Sequence, residues 1–299
     1  MIHNHTDHSV KSDLRIAFFL NFGFTIAEII GGLLTNSVAI LADALHDFGD
    51  SLSLALSWRL EKYAEKAGDE KFSYGYRRFS MLGGLINAVI LMAGSFFIIS
   101  ESIKRFNQPQ LPHAQGILLF ALAGIAINGY AAFRTSRTKN LNARIVSWHL
   151  VEDVLGWAAV FLVGLVLLFF DIPFLDPLVS IVVTVFVLVG VYKNFKRTMK
   201  LFLQGVPDET NLDEIEKALR QIPNVEDIHH LHAWSLDGEN HVLTMHINIC
   251  AHANADDIKF IKEQIHKLAE NHGFIHTTVE VELFDEDCSM GLARIKEVS

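Results

Sequence analysis

Two apolar stretches of the chain each hold a histidine followed four residues later by an aspartate. They are His46 and Asp50 in SVAILADALHDFGDSLSLALSW, and His149 and Asp153 in RIVSWHLVEDVLGWAAVFLVGLVLLFF. On an α-helix, residues i and i+4 lie one above the other. Each stretch therefore presents an imidazole nitrogen and a carboxylate oxygen in one direction. Two such helices packed antiparallel bring two nitrogens and two oxygens around one point, a donor set that suits tetrahedral Zn²⁺. An ionisable side chain at bilayer depth costs roughly 2.5–3.5 kcal/mol on insertion scales, which marks it as a functional candidate. One pair alone reads equally well as an interhelical hydrogen bond. Two pairs at the same spacing favour the metal reading, because the cost is met four times over.

Such pairs need membrane-crossing helices to hold them. The hydrophobic fraction is 51% and the mean hydropathy +0.29, both high for a purely soluble domain. Six stretches approach the ~20 residues that a span requires: 14–34, 38–58, 79–100, 116–133, 145–170 and 173–192. The polar start MIHNHTDHSVKSDLR has no apolar core of a leader peptide, so the first stretch is read as an anchor. With the N-terminus inside, sixteen Lys and Arg fall on inner segments, and only Lys104 and Arg105 fall on outer ones. That asymmetry predicts both termini in the cytoplasm.

Beyond Gln204 the character changes. Residues 205–299 carry 19 acidic against 7 basic residues, a net −12 beside +3 for the remainder, and hold 9 of the 15 histidines. An acidic domain argues against nucleic acid or anionic lipid as its partner. Its pattern reads helix (208–221), strand (225–236), turn at 237–240, strand (241–250), helix (255–271) and strand (277–284). The expected organisation is an N-terminal tail (1–13), a transmembrane domain of six helices (14–204), and a cytoplasmic α+β domain (205–299). In that last domain an αββαβ order places both helices on one face of a three-stranded sheet. With only Cys250 and Cys288, no disulfide framework is expected.

The segments SVAILADALHDFGD, SYGYRR ahead of the third span, LNARIVSWHLVEDVLG, HHLHAWSL and HTTVEVE together resemble the cation diffusion facilitator family. The resemblance covers essentially the whole chain. It implies a proton-coupled exporter of zinc or another divalent cation, working as a homodimer in a bacterial inner membrane, with a metallochaperone-like cytoplasmic domain. Carried over by position, it puts the transported ion on His46, Asp50, His149 and Asp153. Two His with two Asp resembles the zinc-preferring members. The chain departs from some relatives: GDEKFSYGYRR between spans 2 and 3 and RTSRTKNLNAR between spans 4 and 5 contain no histidine. His3, His5 and His8 are read as part of a solvated tail, with a metal-collecting role as the alternative.

Asp43, one turn before His46, is a candidate for supporting the ion or its path. Asp47 is expected to face a neighbouring helix. Glu152 is expected to face a cavity, a partner span or a dimer interface. Asn21, Glu28, Asn87 and Asn128 read as interhelical hydrogen-bond formers. In the tail, His230 and His232 are expected on one strand face, with a hairpin at 237–240 bringing His246 opposite or nearly opposite His232. The resemblance adds His276 and Glu282 as metal positions, and Cys288 is a further candidate donor. This set would hold one or two regulatory zinc ions per protomer.

Metal binding needs neutral imidazoles and ionised carboxylates, so protons and zinc compete for one site. That competition predicts antiport. No GxxxxGK[ST] motif is present to suggest ATP drive. Rival readings are export of Cd²⁺, Co²⁺, Fe²⁺ or Mn²⁺ by the same site, and a non-transporting membrane metal sensor. A metalloenzyme is disfavoured, because neither HExxH nor a nucleophile elbow is present.

Overall fold

Six long helices fill the first two thirds of the chain: α1 (Thr6–Thr35), α2 (Val38–Ala64), α3 (Phe79–Asn107), α4 (Ala114–Ser136), α5 (Leu141–Phe169) and α6 (Leu175–Phe202). The computed structural model describes residues 6–136, 141–284, 286 and 288. Of residues 6–18, 20–21, 57–58, 134–136 and 141–149 it describes the helical backbone alone. Two compact units emerge, one of residues 1–59 with 83–195, the other of 60–82 with 196–299. Among the described residues, α3, α6, Ala114–Phe133 of α4 and Leu150–Phe169 of α5 are long and apolar enough to cross a membrane. The apolar part of α1, Phe22–Thr35, is shorter. In α2, Asp43, His46, Asp47 and Asp50 interrupt an otherwise apolar face.

Within the first unit the start of α2 is anchored firmly. Asp176, at the first turn of α6, is fully buried and accepts from Ser37 Oγ and from Val38 N at 2.7 Å. It therefore serves the unpaired amides and positive dipole end of α2. Ser180 Oγ donates to Val38 O at 3.3 Å. Arg105 of α3, only 7% exposed, donates to Asn36 O and to Asn36 Oδ1 at 2.8 Å. Asn36 itself has φ 53°, and these bonds fix the tight turn between α1 and α2. One of the two cations expected on an outer loop is thus a buried structural group. Deeper in the unit, Ala39 and Ile40 of α2 share a core with Ile117 and Ala121 of α4 and with Trp157, Val160, Val163 and Leu167 of α5. Gly124 lets α4 and α5 approach: a β-carbon there would lie 2.2 Å from the Trp157 ring.

In the second unit, α7 (Leu212–Leu219), β1 (Val225–Ser235), β2 (His241–Ile249), α8 (Ala255–Asn271) and β3 (Phe274–Glu282) follow the expected αββαβ order. The sheet order is β1-β2-β3, with β1 antiparallel and β3 parallel to β2. Ile215 and Leu219 of α7 and Ile261, Ile265 and Ala269 of α8 join Leu243, Met245, Ile247 and Ile249 of β2 in one core. Both helices therefore lie on one sheet face, as the alternation in the strands predicts. Asn254 starts α8 with a capping box that includes Asp257.

The connection between α2 and α3 is ordered around Asp69. Its carboxylate accepts from Lys71 N at 2.8 Å, Phe72 N at 2.9 Å and Tyr76 Oη at 2.7 Å. The bond from Tyr76, followed by the backbone bonds, holds this carboxyl below its ordinary range. The same bond pushes the Tyr76 phenol up to about 12.

Candidate metal centres

The geometry of α2 against α5 follows from three contacts. Ile40 packs in the cluster that holds Val163 and Leu167. Asp43 Oδ1 lies 3.8 Å from where a β-carbon on Gly156 would sit. Asp43 is also within electrostatic reach of Asp153 and Asp50. Moving forward along α2 thus means moving backward along α5, and the two helices run antiparallel. With ~1.5 Å of rise per residue, His46 lies three residues past Asp43, level with Asp153, which lies three before Gly156. By the same count Asp50 is level with position 149. The His149 side chain lies outside the described residues, so only its backbone position enters this register.

His46 Nε2 and Asp50 Oδ2 are 3.7 Å apart, and both side chains are partly buried. A tetrahedral zinc with bonds of about 2.0–2.1 Å holds its donors roughly 3.3–3.5 Å apart, so this pair needs little movement to share one ion. Asp153 is half-buried. The remaining polar groups divide. Asp43 and Asp47 are buried and meet Glu28 of α1, itself fully buried, with one carboxylate oxygen from each within 4.8 Å of the others. Glu28 was expected only to bridge helices, and its place among these carboxylates is a tertiary fact that α1 alone does not announce. Glu152 is exposed on α5. Asn128 is buried and Asn87 half-buried. The side chain of Asn21, like His3, His5 and His8, lies outside the described residues.

The second unit gathers a different histidine set from the one the sequence suggests. His229, His246, Glu282 and Cys288 each offer a donor atom within 4.8 Å of the rest. His246 Nδ1 lies 2.8 Å from Glu282 Oε1, and His229 Nε2 lies 3.0 Å from Glu282 Oε2. Cys288 Sγ lies 3.7 Å from His246 Nδ1. Burial pushes the Glu282 carboxyl up, but hydrogen bonds with His246 and then Cys288, with the nearby His229, outweigh it and hold the group below its ordinary range. Two nitrogens, a carboxylate oxygen and a thiol suit tetrahedral zinc. Contraction of about 1 Å brings these donors to coordination distance.

His230 and His232 remain neighbours, their ring centroids 6.1 Å apart, but a bulge changes the expected pairing with β2. His230 adopts φ 49°, and the register shifts between His229 and His232. An extra residue in one strand resets its alternation. As a result His229, not His232, stands opposite His246, while the exposed His232 faces Thr244. His230 remains close, its ring centroid 4.9 Å from that of His246. His276 pairs with Val242 on β2, six residues before Glu282 on β3, which is about 20 Å along a strand. It cannot share an ion with Glu282, and instead meets the Tyr74 ring at 5.4 Å. The HH doublet signals a histidine-rich strand, but no local pattern reveals which of the two residues the bulge turns inward.

Residues 14–203 match the cation efflux transmembrane domain, and residues 207–284 match the cytoplasmic domain of cation efflux proteins. The chain is 32% identical to a cadmium, cobalt and zinc/H(+)-K(+) antiporter of Bacillus subtilis, covering 94% of this chain and 92% of that protein. It is 30% identical to the zinc transporter ZitB of Pectobacterium atrosepticum, covering 96% and 91%. It is 28% identical to the metal cation efflux system protein CzcD of Cupriavidus metallidurans, covering 94% and 89%.

Proposed function

The chain belongs to the cation efflux family of integral membrane transporters, and on that premise we propose that it exports Zn²⁺ from the cytoplasm in exchange for protons. The ion is carried by His46 and Asp50 of α2 with His149 and Asp153 of α5. The observation that carries this reading is the antiparallel register, which sets the close His46–Asp50 pair level with positions 149 and 153. Facing the cytoplasm near neutral pH, neutral imidazoles and ionised carboxylates take up zinc. Facing a more acidic exterior, the same atoms take up protons and release it. Return of the protonated site completes the cycle. Glu28, Asp43 and Asp47 extend the carboxylate surface beside the site and give an approaching cation a negative path.

Both termini lie in the cytoplasm, and the second unit joins two copies into a homodimer. There His229, His246, Glu282 and Cys288 hold zinc and would tie β1, β2 and β3 at one point, coupling cytoplasmic metal to the dimer. His230 is the reserve donor. A broader substrate range is the second reading, favoured by the Bacillus subtilis relative, whose name includes cadmium and cobalt. Zinc uptake into proteoliposomes holding the purified full-length protein tests both readings. An acid-inside gradient should drive zinc accumulation, accompanied by proton loss from the lumen, and collapsing the gradient should stop it. Zinc flux indifferent to the proton gradient would overturn the exchange. Cobalt or cadmium flux matching that of zinc would select the broader reading.

A further inference from the structure

An open cavity of about 470 Å³ lies within the second unit, between the α2–α3 connection, the first residues of α3, the end of α6 and β1. Lys71, Arg77 and Arg78 stand on its wall, and no Asp or Glu lines it. Arg77 is held 3.6 Å from Asp237, with its side chain 44% exposed. Among the described residues, Lys71 and Arg78 form no ion pair. Asp69, the nearest acid to Lys71 in sequence, already spends its oxygens on two amides and the Tyr76 hydroxyl. Two of the three cations on the cavity wall thus lack an acidic partner among the described residues.

Its other walls are apolar. Phe79 and Leu82 begin α3, and Phe202 ends α6, so two helices long and apolar enough to cross a membrane contribute their ends. Aromatic packing keeps the connection in shape, with Phe72 centred 4.7 Å from Tyr76 and 5.7 Å from Phe79. Tyr74 meets Trp234 of β1 edge-on at 6.5 Å. Gly75, at φ 81°, makes the turn that brings these side chains together. Cations and aromatic rings beside apolar helix ends match a ligand with a phosphate and attached acyl chains.

We propose that this cavity binds an anionic phospholipid, its phosphate on Lys71, Arg77 and Arg78 and its first acyl carbons along Phe79, Leu82 and Phe202. A free phosphate would meet the same cations but leave the apolar walls unused. The cations come from the segment joining two spans, while the strongly acidic sheet domain lends the wall Trp234 and Leu236 and places one acid, Asp237, against Arg77.

Native mass spectrometry of the detergent-purified full-length protein tests the site, with phosphatidylglycerol or phosphatidylcholine of identical chains added. The wild type should bind phosphatidylglycerol about 100-fold more tightly, given about fivefold for each of three basic residues at an anionic headgroup. Lys71→Gln with Arg78→Gln should weaken that binding about 30-fold on the same basis, leaving phosphatidylcholine unaffected. Lys71→Glu, a change at an exposed loop side chain that leaves the core untouched, should also remove most of the preference. Arg59→Gln with Lys62→Gln removes equal charge from exposed positions of α2 and should change nothing. Equal binding of the two lipids would overturn the proposal, as would an equal loss in the control variant. Displacement of the lipid by an equal concentration of inorganic phosphate would also overturn it, assigning the cavity to a soluble anion.

Discussion

Replacing Asp50 or Asp153 by alanine should lower zinc export more than about 100-fold, since loss of a direct ligand should exceed the 10–100-fold typical of its supporting groups. Each carboxylate supplies a quarter of the proposed donor set and half of its negative charge. Without it, the site keeps one carboxylate against a divalent ion, and the missing oxygen cannot be replaced by water at the same charge. Asp43 and Asp47 do not substitute cleanly, because they stand about one to two turns before Asp50 on α2 and gather with Glu28 of α1. Both variants should still insert and associate, since the α2 anchor on Asp176 and the α2–α4–α5 core do not involve them. Flux close to wild type from either variant would remove the assignment.

The second large effect concerns the cytoplasmic cluster. In a full-length chain whose span site is disabled by Asp50→Ala, His229→Ala with His246→Ala should weaken the remaining zinc binding by about 100-fold or more, because two of four donors vanish. His232→Ala should leave it unchanged, since β1 turns that side chain to solvent opposite Thr244. The pair of results separates the observed register from the one that simple alternation suggests. With the span site intact, the double variant should export more slowly but still export. Calorimetry that finds a greater loss from His232→Ala would restore the unbulged pairing.

The difference between those histidines shows what a sequence can carry. The close approach of His46 and Asp50 was legible because helix periodicity is local and apolar surroundings make a charged exception conspicuous. Helix α8 was legible to the residue, since Asn254, Asp257 and the stripe of Ile258, Ile261 and Ile265 are all local signals. Helix α7 proved shorter than 208–221, because Asn211 takes the capping position and Glu209 and Thr210 stay outside. Strand β3 starts earlier than position 277, as Gly273 at φ 79° ends the helix turn and releases Phe274 directly into the sheet. The bulge at His230 was not legible: it depends on how β1 meets β2, and a histidine at positive φ has no distinctive neighbours in sequence. The burial of Glu28 beside Asp43 and Asp47, and the cation-lined cavity ahead of α3, likewise depend on contacts between distant segments.

Zinc K-edge X-ray absorption on the full-length His229→Ala/His246→Ala chain, carrying one equivalent of zinc, tests the central claim most directly. With the cytoplasmic cluster removed, the span site predicts four nitrogen or oxygen donors at about 2.0–2.1 Å, with the scattering signature of two imidazoles. A sulfur shell at about 2.3 Å, fewer than two imidazoles, or no retained zinc would contradict an ion held by His46, Asp50, His149 and Asp153.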